Sequence, residues 1–346
     1  MESQFQFDFL VFIGRFQPFH DGHLAVLKEG LNRSQNVIVL CGSAHQPRST
    51  RNPWIFQERQ FMIRSCLTET ESGRVHIAPL MDCQYNDEAW VRNVQKTVQG
   101  LVTAHFNQPH RPARVGLIGH QKDHSSYYLK LFPQWGSVSV INQNGINATD
   151  IRNTLLREDP PGGYPDLPKG IASYLAEFRD NEDFKNLQKE HSFIETYKSG
   201  WKEAPYPPTF VTVDALVIQS GHILLVERKA RPGRGLMALP GGFIDGHETL
   251  ENACLRELRE ETRLKVPEPV LRGSIKDRAV FDDPHRSARG RTITHAFYFE
   301  LEPRAELPKV KGGDDAASAF WLPLADLDPG KLFEDHYFII QKMTGF

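Results

Sequence analysis

The chain has 346 residues, enough for two domains at roughly 150 residues each. Its 40% hydrophobic and 24% charged residues exclude a wholly disordered or collagen-like chain, and 41 basic against 43 acidic side chains, a net charge of -2, give no support to a nucleic-acid or anionic-membrane surface. Four cysteines, Cys41, Cys66, Cys83 and Cys254, follow no metal-ligand spacing, and there is neither a leader pattern nor a long apolar run, so a reduced, cytoplasmic protein without a membrane partner is expected.

In chain order, strands are predicted at 11–14, 36–41, 75–79, 115–119 and 138–141, with helical patterns between them at about 23–31, 56–67, 88–105 and 125–131. Strands alternating with helices long enough to return the chain imply an α/β domain built on a parallel sheet covered on both faces. Ligands of such sheets sit at the carboxyl ends of the strands. A Pro/Gly-rich stretch, DPPGGYPDLPKG, precedes a helix at 171–178, and a polar, partly helical connector follows until APYPP stops it at 204–208. Beyond it, FVTVDALVI and ILLVER flank Gly221 as a hairpin. Strands at 270–276 and 292–301, a helix at 249–262 and another near the C-terminus then imply a second, mixed-sheet domain. The tail from Leu332 is too short to supply a helix-turn-helix.

The first chemical motif is GRFQPFHDGHL, from Gly14 to Leu24, directly after the first strand. Gly14 permits a close turn and Pro18 stiffens the loop. His20 and His23, three apart at a helix start, can present both rings on one face beside unpaired backbone N–H groups, a site for phosphate. NATDIR places Asn147, Thr149 and Arg152 at another helix start, where a hydroxyl and a forked cation again favour an anion. Two such helix starts in one α/β domain suit a triphosphate.

These residues carry a resemblance. GRFQPFHDGH resembles the (H/T)xGH signature of the nucleotidyltransferase superfamily, and its long form is similar to archaeal-type nicotinamide mononucleotide adenylyltransferases; Thr149 and Arg152 match the family's SxTxxR motif, with Asn147 at its serine position. The resemblance implies a Rossmann-like nucleotidyltransferase domain over 1–180 that joins nicotinamide mononucleotide to the α-phosphorus of ATP, giving NAD and pyrophosphate with Mg²⁺. It implies roles at the phosphates for His20, His23 and Arg152, with further ATP contacts from Gly14, Arg15, Phe16, Arg48 and Lys122. Asn86, Asp87 and Trp90 fall where the family contacts the nicotinamide nucleotide, Trp90 being either a stacking surface or a core residue. His120 and Asp123 follow a strand end without an assigned role. A homo-oligomer is implied by the same family.

The second motif is GGFIDGHETLENACLRELREETRL, Gly241 to Leu264. Glu257, Glu260 and Glu261 share one helix face, and crowded carboxylates make chemical sense around a hard cation, Mg²⁺ or Mn²⁺, carried with phosphates. Arg256 is placed to pair with Glu248, and Leu250, Ala253 and Leu258 to bury the opposite side. The full spacing from Gly242 to Glu261 resembles the Nudix box, implying a Nudix α/β/α mixed-sheet domain over 207–346, joined through the 181–206 connector. The family's usual glycine is replaced by Arg263, from which a differently shaped exit loop is expected. The resemblance implies metal-assisted diphosphate hydrolysis with Glu260 and Glu261 catalytic. Fusion to the transferase implies ADP-ribose, cleaved to AMP and ribose 5-phosphate. The general base is not legible in the box; Glu300, Glu302, Asp282 and Asp283 are available. The open alternatives are a different phosphate substrate for the transferase and a non-catalytic sensor of ADP-ribose or NAD.

Overall fold

The computed structural model describes residues 5–106, 108, 110–120, 131–140, 145–157, 166–313 and 315–345. By its contacts the chain falls into two compact units, Met1–Gln188 and Lys189–Phe346.

The first unit carries five strands, β1 (Phe7–Gly14), β2 (Ser34–Cys41), β3 (Val75–Pro79), β4 (Val115–His120) and β5 (Gly136–Val140), in the order β3-β2-β1-β4-β5, all parallel. Its helices are α1 (Asp21–Arg33), α2 (Phe56–Arg64), α3 (Glu69–Ser72), α4 (Asp87–His105), α5 (Ala148–Leu156) and α6 (Lys169–Phe178). Strand periodicity explains the continuous apolar run of β1. Leu10 and Phe12 pack with Val26, Leu27 and Ile171 on one face, whereas Phe9 and Val11 pack with Val94, Val98 and Val102 of α4 on the other. Chain order reverses between β1 and β4, so the carboxyl end of β1 lies at the switch point where such sheets bind ligands.

One charge is sealed at the other end of β1. Asp8 is wholly buried; burial alone would raise its pKa, but bonds from Arg111 at 2.6 and 2.8 Å and from Arg114 hold the carboxyl well below the usual range.

The predicted helix at 125–131 falls almost wholly outside the described residues, as do Lys122, Asp123 and the His120 side chain. The short α3 was not foreseen; Thr68 and Glu71 build it with a reciprocal capping box. Residues 182–199 of the expected connector form one helix, α7 (Glu182–Ser199), within which the division between the units falls.

The second unit holds β6 (Thr209–Gln219), β7 (His222–Arg228), β8 (Met237–Ala238), β9 (Gly241–Phe243), β10 (Ile275–Phe281), β11 (Arg291–Glu300) and β12 (Ala316–Pro323), with α8 (Leu250–Thr262), α9 (Glu268–Gly273) and α10 (His336–Thr344). The sheet runs β10-β11-β6-β7-β12, with β8 on β7 and β9 on β6; β6 and β11 are parallel and the other pairs antiparallel. Ala253, Cys254 and Leu258 of α8 pack on Val213, Ala215, Phe297 and Phe299 of the sheet.

The strand predicted at 270–276 is corrected. Pro267 and Pro269 preset the first turn of α9, an Arg272–Glu268 pair at 2.7 Å supports it, and β10 begins only at Ile275. β12 had not been predicted; its intermediate burial pattern lacks the alternation of a half-buried strand.

Candidate functional sites

In the first unit, α1 starts where β1 has delivered the chain. His20 takes the N-cap position, yet its ring makes no cap hydrogen bond to the helix. The rings of His20 and His23 lie face to face, 3.7 Å between centroids, and Phe16 meets His23 edge-on at 5.0 Å. Phe16 is 1% exposed and holds a left-handed φ of 52°, so this ring is a support under the histidines. A Cβ on Gly14 would come within 2.8 Å of the Phe16 ring, which is why the turn takes glycine.

Arg152 closes on the same loop. Its Nη1 donates to the Gln17 carbonyl at 2.6 Å and its Nη2 to the Thr149 hydroxyl at 3.0 Å, while Asn147 caps α5 by accepting from the Thr149 N–H at 2.9 Å. The motifs at 14–24 and 147–152, far apart in sequence, thus meet. Burial, with the positive fields of Arg15 and Arg51, lowers the Arg152 pKa to about 10. Arg15 is lowered to about 10 by burial and Arg51, with Asp82 opposing, and its buried Nη1 has no hydrogen-bond partner among the described residues. Three mutually repelling guanidiniums, one of them orphaned, fit a polyanion.

Two residues outside the sequence-based set belong here. Arg51 is the cation felt by both Arg15 and Arg152. Arg59, 0% exposed, donates to the carbonyls of Arg15 (2.5 Å), Gly42 (2.7 Å) and Ser43 (3.3 Å), tying the ends of β1 and β2 together. Nothing in sequence separates either from ordinary surface arginines. Arg48 has a different setting from the phosphate contact expected of it. Glu58 at 2.6 Å and Asp183 at 3.0 Å engage its guanidinium, which also lies over Phe178. Asn86 caps α4 by accepting from the Ala89 N–H at 3.0 Å, Asp87 follows exposed in the first turn, and Trp90 is partly buried near Phe132.

In the second unit, Arg256 binds the preceding loop to the helix, as the sequence predicts, and Thr249, expected as its first residue, caps α8. Arg256 meets Glu248 at 2.6 and 3.1 Å, Glu257 at 2.8 Å, Glu260 at 3.2 Å and the Phe243 carbonyl at 3.2 Å. The Glu257 side chain is largely buried, Glu260 is half exposed, and Glu261 accepts from the Gly241 N–H at 3.0 Å. Burial, with the charges of Glu257 and Asp214, pushes Glu261 up to about 8. Arg256 bridges Glu257 and Glu260, and among the described residues no three His, Cys, Asp or Glu side chains converge closely enough to hold an ion. The donor chemistry nevertheless fits a hard divalent cation: it is oxygen-only and acidic, with burial and Glu257 raising Glu261 against the Gly241 N–H and Arg228. Gly242 also leaves space in front of Glu257, where a Cβ would fall 2.4 Å from the carboxylate.

Arg263 adopts the left-handed turn that favours glycine, φ 53°, and closes the helix by donating its N–H to the Arg259 carbonyl. The substitution therefore leaves a left-handed helix exit, contrary to the expectation of a differently shaped loop. Beside the box helix lies a cavity of about 110 Å³, whose lining includes Asp214, Arg228, Glu261, Arg286, Arg289 and Glu334. Glu300, Glu302, Asp282 and Asp283 do not line it. Glu300 pairs loosely with Lys276 and Asp282 with Arg291, as surface residues do.

Comparison with known proteins agrees with this geometry. A cytidylyltransferase-like family model matches residues 11–153, and a NUDIX domain model matches residues 208–343. A nicotinamide/nicotinic acid mononucleotide adenylyltransferase of Acinetobacter baylyi is 38% identical over 188 residues, 54% of this chain and 95% of that protein. An ADP-ribose pyrophosphatase of Methanocaldococcus jannaschii is 37% identical over 131 residues, 38% of this chain and 70% of that protein. The crystal structure of a bifunctional NMN adenylyltransferase/ADP ribose pyrophosphatase from Francisella tularensis, complexed with AMP and a manganese ion, superposes with a TM-score of 0.88 at 36% identity. That match covers 98% of this chain and 99% of the other. Fold and sites together define a nucleotidyltransferase unit joined to a Nudix unit. The chain belongs to the family of bifunctional nicotinamide mononucleotide adenylyltransferase/ADP-ribose pyrophosphatases.

Proposed function

We propose that the first unit transfers the adenylyl group of ATP to nicotinamide mononucleotide, giving NAD and pyrophosphate, and that the second hydrolyses ADP-ribose to AMP and ribose 5-phosphate. The observation that carries this is the match to the bifunctional Francisella protein along almost the whole length of both chains. In this assignment 1–180 is the transferase, 181–206 the connector and 207–346 the hydrolase.

In the first reaction a phosphate oxygen of the mononucleotide bonds to the α-phosphorus of ATP, and the bond to the pyrophosphate breaks. No protein nucleophile is required. His20, His23, Arg15 and Arg152 hold the phosphates and offset charge on the departing pyrophosphate, Mg²⁺ accompanying ATP as part of the substrate. Thr149 and the Gln17 carbonyl fix the Arg152 fork, and Phe16 fixes the plane of His23. Asn86 and Trp90 are assigned to the nicotinamide nucleotide and Arg48 to bracing the adjoining loop.

In the second unit Glu257, Glu260 and Glu261 would hold Mg²⁺ or Mn²⁺. When bound, such an ion polarises the diphosphate and lowers the pKa of a water. Arg256 and Glu248 keep the box loop on α8, so that the Gly241 N–H orients Glu261. Among the described residues no helix is long and apolar enough to cross a membrane. Four free thiols support a cytoplasmic setting, and a homo-oligomer is part of the same proposal.

Phosphorus NMR of the intact chain with Mg²⁺, first with ATP and nicotinamide mononucleotide, then with ADP-ribose, tests both assignments. Failure to form NAD and pyrophosphate sinks the first, and failure to release AMP and ribose 5-phosphate sinks the second.

A further inference from the structure

Hydrolysis of a diphosphate requires an acceptor for the proton of the attacking water, at the reacting phosphorus and outside the set of carboxylates that carries the cation. The cavity beside α8 presents four carboxylates: Asp214, Glu261, Asp315 and Glu334. Asp214 is engaged, accepting from the Thr294 hydroxyl at 2.5 Å with Arg286 at 4.0 Å and the His336 ring at 3.8 Å. Glu261 belongs to the box. Asp315, ahead of β12, is exposed, so water solvates its carboxylate at the rim of the cavity.

Glu334 differs from all three. It stands between β12 and α10 with a left-handed φ of 45°, a conformation that an ordinary L-residue rarely adopts. Its carboxylate accepts the Ala288 N–H at 3.2 Å and a hydrogen bond from the Ser287 side chain, and no cation lies within ion-pair distance among the described residues. Arg286, the natural neutralising partner, is taken by Asp335 through two bonds of 2.9 Å. The charges that act on Glu334 are Arg286 and Arg289 from the loop after β10 and Asp335 at the start of α10; the other titratable groups of the cavity are Arg228 of β7, Asp214 of β6, Glu261 of α8, Asp315 before β12 and the ring of His336, whose pKa burial lowers to about 3 so that it stays neutral. The balance leaves the carboxyl raised, by burial first and Asp335 second, against the lowering fields of Arg289 and Arg286. A half-buried carboxylate that lines the cavity without a direct ion pair among the described residues can take a proton.

We propose that Glu334 is the general base of the hydrolytic site. As the water oxygen bonds to one phosphorus, the O–H proton passes to the Glu334 carboxylate; the bridging P–O bond breaks, and its electron pair leaves on the phosphate of the second product. Glu334 then returns the proton to solvent. The inference rests on the ADP-ribose reading above.

The test uses the full-length chain with ADP-ribose, following AMP release from pH 5 to 9 with Mg²⁺ saturating at every pH, so that protonation of Glu261 does not itself produce an acid limb. Wild-type protein that releases no AMP overturns the substrate reading, and this inference with it. With wild type active, E334Q is expected to lower kcat by about 10²- to 10⁴-fold, with KM within about threefold, and to remove the fall in rate on the acid side. A kcat within about fivefold of wild type, or a retained acid limb, overturns the assignment and leaves the substrate reading standing. Calorimetric binding of the α,β-methylene analogue of ADP-ribose checks that E334Q keeps its cavity. If that binding is lost, E334D decides: an intermediate kcat with a displaced acid limb supports the base, and an unchanged profile overturns it.

Discussion

Arg59→Met is the perturbation that most directly tests how the transferase site is held. Arg59 is fully enclosed with no carboxylate within ion-pair distance among the described residues, and its guanidinium bridges the carbonyls of Arg15, Gly42 and Ser43 at the ends of β1 and β2. Methionine occupies similar volume but donates nothing. The Arg15 and Gly42 carbonyls, bonded at 2.5 and 2.7 Å, would each lose a short charged bond, at about 2 kcal/mol apiece, whereas the 3.3 Å bond to Ser43 adds little. Burial lowers the Arg59 pKa, so removing the charge returns about 1–2 kcal/mol of desolvation. The net loss is about 2–3 kcal/mol. At about 2–4 °C per kcal/mol for a unit of this size, the first unit should melt about 4–12 °C lower. Scanning calorimetry should show that shift in one transition, together with a raised KM for ATP, while the second transition and ADP-ribose cleavage stay put. A shift below about 2 °C with an unaltered KM would refute the view that these carbonyls depend on Arg59.

The remaining predictions concern the two sites separately. Arg152→Ala should reduce kcat for NAD formation by about 10²- to 10³-fold without touching ADP-ribose hydrolysis, and equal loss in both assays would contradict two independent sites. Gly242→Ala forces the Glu257 carboxylate aside, since a Cβ falls 2.4 Å from it; the fold should survive because a flexible side-chain end can move, but hydrolysis should fall at least about tenfold. An unchanged rate would remove Glu257 from the ion site. Glu261, held at about 8 against an ordinary 4.5, stabilises the ion-free second unit at low pH, and that stabilisation is lost as pH rises towards 8. Mn²⁺ should therefore raise the melting temperature of this unit more at pH 8 than at pH 6, and an equal rise would argue against Glu261 as a ligand.

Much of this molecule is determined locally and is therefore legible in sequence. Alternating strands and helices, the GRFQPFHDGH turn and the spacing of Glu257, Glu260 and Glu261 depend on backbone periods and short loops, and the Arg256–Glu248 pair joins the box helix to its own preceding loop. What tertiary structure alone decided is where distant side chains converge. Arg59 and Arg48 are both arginines of one short stretch, yet one is buried on three carbonyls and the other is paired with Glu58 and Asp183. Glu334 lies 73 positions beyond Glu261 and acquires its place only when β12 and α10 bring it to the same cavity, while Glu300, chemically identical, ends on the surface beside Lys276. The physical reason is that burial and the field of neighbouring charges, which decide whether a carboxylate is solvated or poised, are sums over residues that sequence separation does not order.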